Sequence, residues 1–196
     1  MPKLKRSYYL QEDVVLVAQD LLGKVIFTRI NGRQVSAVIT ETEAYAGVSD
    51  KASHAFGGKR TPRNENMYAK GGIAYVYLCY GMHHLFNVVT NSKDVPHAVL
   101  VRAVKPLEGI ETILKRRKQK TLAKNTSGGP GTVSQALGIT TALNGSDLTG
   151  KTIWLQDEGI KIMKNEIVIG PRIGVDYAGK DAKLPYRFIL KNNNLK

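Results

Sequence analysis

Gln34-Val35-Ser36-Ala37-Val38-Ile39-Thr40-Glu41-Thr42-Glu43-Ala44-Tyr45 reads as a β-strand that begins in a core and ends in a chemical site. Side chains alternate faces along a strand, so Val35, Ala37, Ile39, Glu41, Glu43 and Tyr45 are expected on one side. That side opens apolar and closes on two carboxylates and a ring. Carboxylates at the end of a core-facing stripe cost desolvation energy unless a site needs them. Burial also raises a glutamate into the range where acid–base work becomes practical. A blander reading stays open: the strand leaves the core, and both glutamates are solvated or paired to Lys and Arg.

Outward from this strand, the chain reads as α+β, with a curved and largely antiparallel sheet, flanking helices and a protruding hairpin. Apolar spacing over Glu12 to Leu22 predicts a helix stopped by Gly23. Lys24 to Ile30 is a strand that turns at Asn31-Gly32, a strong two-residue hairpin signal. Further strands are expected at Ile73 to Tyr80, Leu85 to Thr90 and Ala98 to Val104, the last ended by Pro106. Leu107 to Lys120 and Thr132 to Leu137 read as helices, Ile153 to Leu155 and Arg187 to Leu190 as late strands. Hairpins without regular βαβ alternation, and no linker or repeat, make residues 1–196 one domain in this reading.

Composition narrows the partners. The 196 residues carry 29 Lys+Arg against 16 Asp+Glu, a net charge of +13, and are 42% hydrophobic. Clustered cations gain affinity for a phosphate backbone by releasing its counterions, so a nucleic acid is the favoured partner. Cys79 is the single cysteine and cannot form an internal disulfide. No apolar run approaches the roughly 18 residues of a membrane span, and no signal peptide follows the basic start. A soluble intracellular protein is expected.

Tyr75, Tyr77 and Tyr80 share one strand, and Gly81-Met82 begins a turn after it. Tyr75 and Tyr77 should face one way. Tyr80 and Met82 at a protruding tip have the shape of a wedge for a base stack, although tyrosine rows in strands more often pack in cores. Lys59, Arg60 and Arg63 flank a proline-bearing loop where a DNA backbone would enter. Lys115-Arg116-Arg117-Lys118 with Lys120 is the densest cationic cluster, as readily a solvated helix surface as a footprint on DNA. Gly128-Gly129-Pro130-Gly131 is either a plain turn or a loop presenting N–H groups to phosphate. The four histidines show no metal-ligand spacing, so no metal site is expected.

Several stretches in order resemble the alkyladenine (3-methyladenine) DNA glycosylase family. They are Glu41-Thr42-Glu43-Ala44-Tyr45, Ser53-His54, Arg60-Thr61-Pro62-Arg63-Asn64 and Tyr75-Val76-Tyr77-Leu78-Cys79-Tyr80-Gly81-Met82. Asn87, Leu100-Val101-Arg102-Ala103, Pro106-Leu107-Glu108-Gly109 and Gly129-Pro130-Gly131 follow, then Gln135-Ala136-Leu137 and Gly170-Pro171-Arg172-Ile173-Gly174. The matches run from about Leu10 to Leu190. The resemblance implies a monofunctional base-excision enzyme that flips alkylated or deaminated purines from duplex DNA and hydrolyses the glycosidic bond. It implies no cofactor and no metal.

By the same resemblance, Glu43 activates the water, and Arg102 orients that water and keeps Glu43 ionised. Tyr45, His54 and Tyr77 hold the base, Asn87 rejects normal guanine, and the main chain at Ile173 is a further anchor for the water. Tyr80, with Met82, intercalates. The implied partner is double-stranded DNA with damaged purines, met by a monomer without membrane attachment, in bacterial cytoplasm at the nucleoid or in a eukaryotic nucleus. Two departures stand out: His83-His84 after the wedge, and Thr132 after Pro130-Gly131 where a basic residue is usual.

Two other functions compete. A Schiff-base glycosylase would use Pro2 as its terminal amine, although Lys3 follows and zinc-finger cysteines are lacking. A non-catalytic nucleic-acid binder would use the basic surface and tyrosines alone.

Overall fold

Thirteen residues, Arg33–Tyr45 (β2), form the spine of an eight-stranded antiparallel sheet in a computed structural model that describes residues 2–191. Val25–Ile30 (β1) pairs with the first half of β2 through a turn in which Asn31 and Gly32 both have positive φ. His97–Glu108 (β5) runs along the other edge of β2. Ala74–Cys79 (β3) and His83–Thr90 (β4) form the protruding hairpin and join through β4 to β5. Ile153–Gln156 (β6) pairs with β1. Ile167–Gly170 (β7) pairs with Arg187–Leu190 (β8), and β8 joins the second half of β2. The sheet therefore forks around β2.

Arg6–Tyr9 (α1), Val14–Asp20 (α2), Ile110–Arg117 (α3) and Pro130–Leu137 (α4) are the α-helices of the described residues. Asp13 caps α2 by accepting the N–H groups of Val15 and Leu16. The main core lies between the sheet and these helices. Val17, Ala18 and Leu21 meet Ile39, Val99 and Val101, and Val133, Ala136 and Leu137 meet Phe86 and Val88. Burying one such side chain is worth about 1.5–3 kcal/mol, which makes this face the main source of stability. No helix of the described residues is long and apolar enough to cross a membrane.

Strict alternation along β2 fails, and the failure builds the site. Ile39 pairs with Val104 and Glu41 with Ala103, so Thr40 is an extra residue on β2. Thr42 then pairs with Val101, which leaves Arg102 as the extra residue on β5. Bulges of this kind re-aim side chains. Val35, Ala37, Ile39 and Ala44 are in the core, and the Thr42 hydroxyl donates to the Ala18 carbonyl of α2 at 2.7 Å. Glu41, Glu43 and Tyr45 turn to the opposite face instead of sharing a side with Val35.

Pro106 does not end β5, which continues to Glu108. Ser36 pairs with Glu108 and Ala37 with Pro106, so Leu107 is a further bulge, the setting in which a strand tolerates proline. The helix expected from Leu107 begins only at Ile110. Residues α1 and β7 were not foreseen: α1 is a single turn, and β7 is four residues.

Candidate active site

The sheet face away from the helices, closed by the loops around residues 47–68 and 171–183, forms a cleft of about 410 Å³. β3 and β4 supply its wall through the cross-strand pairs Tyr75–Asn87 and Tyr77–Leu85, and β5 adds Leu100 and Arg102. Tyr75 and Tyr77 do face the same way, with ring centroids 5.3 Å apart. Volume and a mostly apolar lining with few polar groups suit a ring-sized ligand.

Glu43 lies immediately behind this wall. It is 0% exposed. Its Oε1 accepts the Ile173 N–H at 2.8 Å, and its Oε2 accepts the Tyr45 hydroxyl at 2.9 Å. Arg102 Nη1 is 3.3 Å from the same Oε1. Tyr45, Ile173 and Arg102 all line the cleft, so the carboxylate reaches it through them. Burial raises Glu43 above the ordinary carboxylate value, while Arg102 and both hydrogen bonds oppose the rise. Arg102 acts in the direction expected of it, favouring the ionised form, while desolvation is the larger influence on Glu43. The main chain at Ile173, expected as an anchor for a water, directs its N–H to Glu43.

Glu41 is the hub beside it. Its Oε1 accepts from Arg102 Nε at 3.1 Å and from Arg187 Nε at 2.7 Å. Arg102 thus bridges both glutamates, and its place at a β5 bulge explains why it can.

His54 Nδ1 is 2.8 Å from the Tyr75 hydroxyl, and its ring meets Tyr77 edge-on at 4.7 Å. Its carbonyl accepts from Asn64, a buried side chain that also bonds Lys59 and Thr61 and ties the loop together. Burial, helped by Arg63 and Lys59, lowers the imidazole to about 4. His54 is therefore a neutral donor or acceptor at physiological pH, not an acid. In the free protein it should titrate near pH 4 by nitrogen-detected NMR; a midpoint near the usual 6.5 would contradict this packing. The sign for stability follows: its contribution is complete above 6.5 and drains as pH falls towards 4, because the unfolded chain takes the proton first.

Asn87 is buried, and its Nδ2 donates to the Tyr75 carbonyl at 3.1 Å, which fixes the amide against the cleft. Arg63 lines the cleft with its guanidinium 5.3 Å from the Tyr77 centroid. Arg60 is paired with Glu65 of its own loop and with Asp94 of the turn between β4 and β5, and it rests on Tyr68. Among the described residues no cluster of three His, Cys, Asp or Glu could hold a metal.

The hairpin tip projects at the cleft, and Cys79 and Tyr80 join its lining. Tyr80 is 92% exposed and Met82 70%. Tyr80 and Gly81 both have positive φ, 51° and 69°, closing a turn in which the Met82 N–H donates to the Cys79 carbonyl. Glycine adopts this region freely; a tyrosine there is strained.

The departures have structural employment. The Thr132 hydroxyl accepts the Gly129 N–H at 3.0 Å at the start of α4, where Pro130 lines the cleft. A side chain on Gly131 would meet the His83 ring at 3.1 Å, so glycine lets α4 approach the hairpin. His84 accepts the Thr141 N–H. Pro2 is remote from all this, since Lys3 and Leu4 are bonded to β6 at the edge of the sheet opposite β3. Sequence reasoning missed Tyr177, which lines the cleft from the far loop and donates to the Ala52 carbonyl at 3.1 Å. Its only signal was proximity to Gly170-Pro171-Arg172-Ile173-Gly174.

Comparison with known proteins supplies the class. A family described as methylpurine-DNA glycosylase has a model that matches residues 8–194, which makes the class that of DNA glycosylases, hydrolases of DNA repair. A Chlamydia abortus (strain DSM 27085 / S26/3) protein named "Putative 3-methyladenine DNA glycosylase" is 45% identical over 97% of this chain and 100% of its own length. A Desulfitobacterium hafniense (strain Y51) protein of the same name is 43% identical over 98% of this chain and 97% of its own. The chain belongs to the methylpurine-DNA glycosylase family.

Proposed function

We propose that this glycosylase extrudes an alkylated purine from duplex DNA into the tyrosine-walled cleft and hydrolyses its glycosidic bond with a water activated by Glu43. The observation that carries this reading is the buried carboxylate behind the cleft wall, bonded to Tyr45 and Ile173 and bridged by Arg102.

A base inside a stacked duplex is out of reach, so extrusion costs a few kcal/mol. Stacking on an aromatic ring returns about 1–3 kcal/mol per base. Tyr45, Tyr77 and Tyr177 supply rings at the cleft. Many alkylated purines are cationic, and a cation over a tyrosine face gains further. The Arg63 guanidinium against Tyr77 already occupies a place of that kind.

As the base leaves, C1′ gains positive charge, which a nearby carboxylate stabilises while it takes a proton from the attacking water. Arg102 offers a donor on the cleft side of Glu43 to hold that water. Asn87 and His54 face the base edge, where shape and hydrogen bonds select neutral lesions. The +13 net charge draws the duplex to the protein, which acts as a monomer.

Incubation with methylated duplex should release free methylpurine without strand cleavage, measured by chromatography across several lesions. Binding without any released base would leave a nucleic-acid binder. Borohydride trapping of protein on DNA would point to Schiff-base chemistry instead.

A further inference from the structure

Both hydrogen bonds received by Glu43 trace back to one guanidinium. Arg172 is 5% exposed. Its Nη1 donates to the Ala44 carbonyl at 2.9 Å and to Asp50 Oδ2 at 2.5 Å. Its Nη2 donates to Asp50 Oδ1 at 2.8 Å and to the Asp181 carbonyl at 3.2 Å. Asp50 is fixed in turn by the N–H groups of Ala46 and Ala52, each at 3.0 Å. The guanidinium carbon lies 4.8 Å from the Tyr45 ring and 5.2 Å from the Tyr186 ring.

The Asp50 fork and the Asp181 carbonyl hold the 171–183 loop. The contacts to the Ala44 carbonyl and the Tyr45 ring lead instead to Glu43. Ala44, whose carbonyl Arg172 grips, stands between Glu43 and Tyr45 in β2. The Tyr45 ring touched by the guanidinium carries the hydroxyl that donates to Glu43 Oε2. The residue after Arg172 supplies the N–H that donates to Oε1.

We infer that Arg172, clamped by Asp50, is a positioning residue for excision, fixing the Tyr45 hydroxyl and the Ile173 N–H on the two oxygens of Glu43. The inference rests on the proposal that Glu43 is the acting carboxylate. Lysine cannot replace it, because an ammonium has neither the planar fork nor the flat face for the ring.

The charged and titratable groups facing Glu43 are Glu41 and Tyr45 on its own strand, Arg102 on β5, and Arg172 and Tyr177 on the loop. Arg187, its pairing partner on β8, is engaged with Glu41. Of these, Arg102 and the two hydrogen bonds favour the carboxylate, and Glu41 opposes it. Displacing the two donors therefore moves the ionisation of Glu43 to higher pH.

The test is single-turnover base release against pH for Arg172→Lys, with melting curves and binding to methylated duplex. The expected result is a folded protein with near wild-type binding and release about tenfold or more slower at neutral pH. The acid limb of its profile should lie about one pH unit higher, with recovery as pH rises. Wild-type rates, or a loss that is equal at every pH, would overturn the inference. Should Arg172→Lys not fold, Asp50→Asn, which keeps the shape of the partner, is judged by the same shift. Glu43→Gln is the control. If it retains wild-type release, the role given to Glu43 fails and takes the inference with it; if it is inactive, an unshifted acid limb overturns the Arg172 inference alone.

Discussion

Glu43→Gln binds methylated duplex as the wild type does but releases base about 10³-fold more slowly, the scale of a lost general base. Glutamine fills the same space. Its carbonyl oxygen can accept the Ile173 N–H in place of Oε1, and its amide can donate to the Tyr45 hydroxyl oxygen in place of accepting from it. Arg102 keeps Glu41 as a partner. What disappears is a fully buried negative charge whose ionisation burial already opposes. The melting temperature should therefore hold or rise, as happens when a strained functional group is neutralised. Single-turnover kinetics beside thermal melts separates this from collapse of the fold. In the wild type, release should fall as pH drops through the raised Glu43 value, because only the ionised form accepts the proton. Wild-type release by Glu43→Gln would end the mechanism.

Patterns set by local chemistry were legible in the sequence. Asn31-Gly32 dictated its hairpin, and the apolar spacing before Gly23 dictated α2. Alternation over Tyr75 and Tyr77 put both rings on the cleft side. Alternation misled along β2 because it takes the pairing to be regular. One extra residue at Thr40 and one at Arg102 invert the faces, and no local preference of Thr or Arg announces a bulge. Pro106 misled for a related reason, since a bulge at Leu107 relieves the strand of the constraint that proline imposes. Glu43 and Arg102 were reached through family resemblance. The electrostatic balance between them was not, because desolvation depends on what covers the carboxylate. One hydrogen bond that opposes it comes from Ile173, 130 residues away. Arg172, quoted only as part of a motif, and Tyr177 were given no role for the same reason: their contacts are with Asp50 and Ala52 across the fold.

Tyr80→Ala should weaken binding to a damaged duplex by about 1–3 kcal/mol, the worth of one stacked ring. Binding to a duplex with a ready-made abasic gap that lacks a stack should weaken much less. The side chain is 92% exposed, so the free protein gains nothing from packing it. Its backbone is meanwhile held at φ 51°, a conformation that costs a non-glycine residue about 1 kcal/mol. A protein that keeps a strained, uncovered tyrosine at the tip of a two-strand projection spends stability on a ring that has work only when something else covers it. Tyr80→Gly sharpens the test, because glycine relieves the strain while removing the same ring. It should lose duplex binding as fully as the alanine variant and yet melt at an equal or higher temperature. If Tyr80 were instead holding the hairpin in shape, both variants would melt lower, and binding to the two DNA substrates would fall in parallel. Fluorescence titration of the two substrates beside thermal melts distinguishes the cases, and equal losses on both substrates would remove the wedge from the account of extrusion.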